Sequence, residues 1–105
     1  MFVNNTAIQI EAGKIYAFKF VTGEEVIAKV IGATMIDITV HAPLQLTSNT
    51  QGVGLAPAFF TISDGADATF FKTGLISYFI PDENFITSYE SAVSGIELPS
   101  NKIVV

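Results

Sequence analysis

Cysteine and arginine are both missing from this 105-residue chain. Without cysteine there is no disulfide framework, no thiolate metal site and no cysteine nucleophile, which excludes a small disulfide-stapled secreted domain. Without arginine, all side-chain positive charge other than His41 comes from five lysines, set against ten aspartates and glutamates for a formal net of −5. That is a poor footprint for a ligand made of phosphates. A nucleic-acid site on such a chain has to be local, assembled by symmetry from several copies, or dependent on stacking and backbone amides. Charge of either sign is scarce, at 14% of residues against roughly 25% in an ordinary soluble domain. Half the residues are hydrophobic, so a lone monomer has difficulty covering itself and self-association is expected. The alternative is a packed monomer surfaced by Ser, Thr and Asn.

Long apolar runs are missing too. No stretch approaches the roughly 18 to 20 residues of a membrane span, and the start MFVNNTAIQIEAGK lacks the basic residues and continuous apolar run of a signal peptide. The expectation is a soluble, intracellular, cytoplasmic protein with no membrane partner. Asn4-Asn5-Thr6 fits the glycosylation acceptor pattern, but without an export signal it reads as chance in an Asn-rich tail.

What is present is alternation. KIYAFKFV, EEVIAKVI and MIDITVHAPLQL follow one another, separated by Thr22-Gly23-Glu24 and Gly32-Ala33-Thr34. Val26, Ala28 and Val30 share one face of the second segment. Ile36, Ile38 and Val40 share one face of the third, while Asp37, Thr39 and His41 point the other way. A period of two predicts a half-buried antiparallel sheet, and Gly23 suits the positive φ of a tight hairpin. Pro43 predicts a bend, an edge or a break, and residues 48–54 read as a turn-rich loop. Further strands are expected at about 57–63, 68–73 and 75–80, with Asp64-Gly65 as a hairpin turn and Gly74 as a bulge or break.

Pro81 stops the sheet. Phe85, Ile86, Tyr89, Ala92 and Val93 fall at helical spacing with acids early and Gly95 as a stop, which predicts a short amphipathic helix. A last strand over Phe85 to Tyr89 is the competing reading. The length fits a single domain, with a core at about 14–93, an N-terminal arm 1–13 and a C-terminal tail 94–105. The fold class is therefore mainly β: a small, strongly bent antiparallel sheet or open barrel with a short C-terminal helix. The tail, IELPSNKIVV, reads as free or as a strand laid along a neighbouring subunit.

No residue set demands catalysis, and the expectation is not an enzyme, with no cofactor and no metal. His41 is the only histidine, and one His without Cys is a weak start for a metal site; it reads as a surface or rim residue. Glu24 and Glu25 are neighbours on a strand and face opposite ways. Asp64-Gly65-Ala66-Asp67 lacks the alternating oxygen ligands of a calcium loop. Ser63 and Ser77 have no nucleophile-elbow context. The adjacent aromatics Phe59-Phe60, Phe70-Phe71 and Tyr78-Phe79 put one ring on each face of a strand, so one member of each pair should be core. The other needs cover from a subunit, the helix or a nucleobase.

GEEVIAKVIGATMIDITVHAPL resembles the first motif of the Sm-like (LSm) family, and KTGLISYFI resembles its shorter second motif. The layout GEEVIAKV, HAPLQL, a turn-rich loop, LISYFIP, a helix-like segment and GIELP is similar to small phage-type members. The resemblance implies a small open barrel whose edge strands pair between subunits to close a homo-oligomeric ring, binding single-stranded RNA or DNA without catalysis at loops that face the pore. By position, Met35 and Asp37 would lie at the base-contacting loop, and Lys72, Thr73 and Gly74 at the basic-Gly loop. Two departures stand out. Asp37 replaces the family's Asn, and a carboxylate repels phosphate while still accepting from a base amino group. Lys72 at best replaces the family's Arg, without its planar fork. The short loop around Gly32-Ala33-Thr34 leaves Met35 as either contact or core. The second reading is a structural or adaptor ring of the same fold that binds a protein partner.

Overall fold

The computed structural model describes residues 9–97, with side chains to 95. It is an antiparallel sheet built from β1 (Ile15–Phe20), β2 (Glu25–Ala33), β3 (Asp37–Asn49), β4 (Gly52–Pro57), β5 (Asp67–Phe71) and β6 (Leu75–Phe79), followed by helix α1 (Glu83–Glu97). The order is β4-β3-β2-β1-β6, with β5 also pairing β3. The sheet does not close.

The first hairpin forms as the sequence predicts, with Gly23 at φ 108° and its amide donating to the Phe20 carbonyl at 2.9 Å. The Thr22 hydroxyl hydrogen-bonds the Glu24 carboxylate. That bond, helped by the backbone amide of Glu24 and by Lys19, holds the carboxyl below its usual range.

The expected half-buried sheet is corrected at its centre. Tyr16, Ala17 and Phe18 are all buried, as are Val26, Ile27 and Ala28. The reason is a second covering layer. Tyr16, Phe18, Ala28, Val30, Ile38 and Val40 form one cluster, closed over by Phe20, Ala68, Phe70, Leu75 and Tyr78. On the opposite face Ala17, Ile27, Ala42 and Leu44 pack with Tyr89 and, around them, Phe85, Ala92 and Val93 of α1. Adjacent strand residues are therefore both core, one under the bent sheet and one under the helix.

β3 is the longest strand, and it bends without ending at Pro43. Lys29 pairs His41 while Ile27 pairs Leu44, so β3 carries an extra residue there, a bulge. Ala42 takes it up at φ 49°. β4 and β5 lie in line along the same edge of β3, β4 against Leu44–Asn49 and β5 against Asp37–His41. They are in effect one strand interrupted by the loop 58–66. The loop is tied at both ends: Ala58 N donates to Pro43 O at 3.1 Å, and Ala42 N to Ala66 O at 2.9 Å.

Several expected boundaries move accordingly. Residues 58–62 are turn and bend, and the strand lies earlier, at Gly52–Pro57, beginning within the 48–54 stretch expected as a loop. A tight turn at Thr50-Gln51 replaces that loop; Gln51 N donates to Asn49 Oδ1 at 2.7 Å and Gly52 adopts φ 127°. β2 runs through Gly32 and Ala33, so its break comes after them, and Ile36 falls outside β3 and is exposed. Gly65 makes the expected turn, at φ 73°, but it leads into β5 from an irregular loop. Gly74 ends a 3-10 turn, Lys72–Gly74. The bulge is at Ile76 instead, since Phe20 pairs Leu75 while Lys19 pairs Ser77.

The helix reading prevails over the strand at 85–93. Asp82 opens α1: its carboxylate accepts from Asn84 N at 3.1 Å and its carbonyl from Phe85 N at 2.9 Å, satisfying end donors the helix leaves over. Gly95 does not stop the helix, which continues to Glu97. Of the N-terminal arm, Gln9 and Glu11 are held by the Tyr16 hydroxyl, at 3.0 and 2.9 Å. Residues 1–8 and the tail from Leu98 lie outside the described residues.

Candidate nucleic-acid interface

Two loops that the sequence separates by more than thirty positions meet at one end of the sheet. The first is the β2–β3 loop, 34–36. Thr34 organises it: its hydroxyl accepts from Ile36 N and Asp37 N, both at 3.1 Å, and donates to Asp37 Oδ1 at 2.7 Å. This local network turns the chain sharply and leaves Met35 at the tip, 92% exposed. Of the two placements open for Met35, contact or core, it takes the exposed one. Asp37 begins β3, with part of its carboxylate occupied in holding the loop.

The second is the Lys72–Gly74 turn between β5 and β6. Lys72 N donates to Ile36 O at 2.8 Å, and Asp37 pairs Phe71. On the other side Gly74 O accepts from Val21 N at 2.8 Å. The turn thus bridges the β2–β3 loop and the end of β1, and all five sequence-predicted residues, Met35, Asp37, Lys72, Thr73 and Gly74, lie in two adjoining segments. Gly74 has no positive φ that would demand glycine, and a Cβ there would meet the Phe20 ring at 3.9 Å, an ordinary contact.

The electrostatics are spare. Lys72 is half-buried, and among the described residues no ion pair involves its ammonium. Asp37 is the nearby carboxylate. Around them stand exposed apolar side chains the sequence reading did not single out for this site: Val21, Ile36 and Phe71. Phe71 was visible as one member of an aromatic pair, and it is the outward one, Phe70 lying in the core cluster. Val21 and Ile36 carried no such mark, because each follows or precedes a strand by one residue and only the turn geometry turns it outward. The site can therefore offer apolar and aromatic surface and one cation.

Elsewhere, the aromatic split expected at Phe59-Phe60 fails: both rings are exposed, because this segment is not a strand. His41 is partly buried, with Nδ1 2.9 Å from Asp67 Oδ1. It lines a cleft of about 330 Å³ with Lys29, Tyr89 and Glu90. No group of three or more His, Cys, Asp or Glu among the described residues is placed to hold a metal. No helix among them is long and apolar enough to cross a membrane. No family model matches the chain, and no curated protein matches its sequence.

Proposed function

We propose that this chain assembles into a homo-oligomeric, Sm-like ring that binds single-stranded nucleic acid, RNA in the first instance, through the Met35–Asp37 loop and the Lys72–Gly74 turn, without covalent change to its ligand. The observation that carries the reading is the 2.8 Å bond from Lys72 N to Ile36 O. It joins the two segments that the family resemblance paired as pore-facing loops. Phe71, which is exposed, supplies a ring for base stacking, which tolerates any sequence, and the exposed Met35 adds apolar contact surface. Lys72 supplies positive charge that a ring would repeat about its axis, concentrating it locally despite the net −5.

Assembly has its own support. Among the described residues β5 pairs with β3 alone and β6 with β1 alone, and the strand sequences DATFF and LISYF at these edges carry one charge between them. Free apolar edges of this kind are templates for pairing with another chain. Binding of a labelled single-stranded RNA, followed by fluorescence anisotropy, tests the reading. Affinity should fall with added salt, and Lys72→Glu should weaken it at least tenfold. Binding indifferent to both would remove the site.

The adaptor reading rests on a different observation. Val21, Ile36 and Met35 crowd one ammonium and one carboxylate with exposed aliphatic surface, as a protein-binding patch would. Protein capture at Met35 that survives Lys72→Glu favours it.

A further inference from the structure

Strand β5 is five residues long and lies along β3. Its core face is apolar, with Phe70 opposite Ile38 and Ala68 opposite Val40. Two polar pairs span the other face. The Thr39 and Thr69 hydroxyls bond at 2.8 Å, and His41 Nδ1 stands 2.9 Å from Asp67 Oδ1. The second pair sits at the end of β5 that joins loop 58–66, where Ala42 N donates to Ala66 O. The backbone of His41 is pinned separately, its carbonyl accepting from the Tyr89 hydroxyl at 2.6 Å. The imidazole therefore meets Asp67 from a fixed strand.

Of the groups at this junction, His41 is the one whose ordinary titration falls between about pH 5 and pH 8. An ionised carboxylate can only accept, so Nδ1 carries a hydrogen whether the ring is charged or neutral, and the proton that comes and goes is the one on Nε2. Protonation thus turns a neutral hydrogen bond into a charge-assisted ion pair without rearranging it, and the charge-assisted bond is the stronger. The other charged and titratable groups around the ring are Lys29, Glu90, Tyr89 and Asp64. Lys29 on β2 is the cross-strand neighbour and works against the proton. Glu90 and Tyr89 of α1 line the same cleft as the ring, Glu90 favouring the proton and Tyr89 neutral in this range. Asp64 of the loop lines the small void beside Ala42 and also favours it. β1 contributes Ile15, which is apolar. Asp67 is in direct contact and sets the sign.

We propose that the His41–Asp67 pair is a pH-sensitive latch that fastens the loop end of β5 to β3 more firmly when His41 is protonated. A histidine that gains a carboxylate partner on folding contributes stability that is complete below its unfolded titration and is lost as pH rises through its folded one. The latch therefore tightens toward about pH 5.5 and slackens toward about pH 8. The Asp67 side chain is 55% exposed, so solvent screens the pair and the change is a few-fold, not all or none. The latch needs neither a ring nor RNA.

The lack of a second histidine makes the test clean. Amide-exchange protection factors, which divide out the intrinsic pH dependence of exchange, are measured by NMR from about pH 5.5 to about pH 8 alongside the His41 ring resonances. Protection at Ala42 N, bonded to Ala66 O across the junction, should fall about threefold as the ring loses its proton, while Phe20 N, bonded to Glu24 O in the first hairpin, keeps its value. Asp67→Asn retains an acceptor without the charge, so it should abolish the fall at Ala42 and move the His41 titration to lower pH. His41→Gln should show no fall either. Constant protection at Ala42 in the wild type overturns the latch, as does a fall that persists in Asp67→Asn. An equal fall at Phe20 and Ala42 overturns it too, because the pair would then stabilise the whole fold without acting at this junction. Should His41→Gln not fold, the wild type and Asp67→Asn decide the question alone.

Discussion

Ala42 is the residue under most constraint. It is the non-glycine residue with positive φ among those described, at 49°, and its methyl is buried beside Ile27, Leu44 and Tyr89. The left-handed conformation costs an L-residue about 1–2 kcal/mol. Replacing Ala42 with glycine removes that cost but gives up roughly 0.8 kcal/mol of methyl burial and about 0.5–1 kcal/mol of chain entropy. Ala42→Gly should therefore leave stability within about 1 kcal/mol of wild type in urea unfolding. Ala42→Val combines a branched side chain at positive φ with overpacking and should cost about 3 kcal/mol or more. Equal behaviour of the two variants would mean that the bend does not depend on this φ. Nothing in the letters around position 42 announces the strain. Pro43 was the visible mark, and it locates the bulge to within one residue without saying which neighbour bears it.

Helix α1 converts a sheet with one buried face into a sheet with two, and Tyr89 fastens it. The Tyr89 hydroxyl donates to His41 O at 2.6 Å and accepts from Lys29 N at 3.1 Å. A side chain from the helix thus bridges β2 and β3 beside the bulge that disturbs their regular pairing. Removing the hydroxyl deletes both of these part-buried bonds at once, so Tyr89→Phe should destabilise by about 1–3 kcal/mol. Amide exchange should rise most at Lys29, whereas a uniform rise across the sheet would mean that the bridge has no local role. The helix itself was legible because Phe85, Ile86, Tyr89, Ala92 and Val93 keep its period. Its consequence was not: alternation in β1 and β2 describes a single covered face, and KIYAFKFV reads the same whether or not a helix lies on the other side. Strand β4 was missed for a related reason. GVGLAP has two glycines and a proline, and its place is set by pairing with β3, not by its own propensity. The candidate site was legible as two segments, but their meeting depends on β5 lying along β3, a long-range pairing with no local mark.

The whole molecule joins acidic charge to apolar edges, and these answer salt in opposite ways. Each protomer carries a formal −5, so the proposed assembly through the apolar edges of β5 and β6 would work against mutual repulsion. Added salt screens that repulsion between exposed charges while strengthening apolar burial or leaving it intact. The nucleic-acid binding proposed at Lys72 would run the other way, because salt competes for the phosphates whose counterions binding would release. A single titration from about 20 mM to about 500 mM salt, spanning Debye lengths from roughly 20 Å to below 5 Å, should therefore raise the multimer mass at fixed protein concentration and lower RNA affinity in the same samples. Lys72→Glu should flatten the RNA slope and leave the mass response in place. If multimer and RNA complex both weaken together as salt rises, the protomers are held by charge pairs, and the apolar edges of β5 and β6 are not the joint.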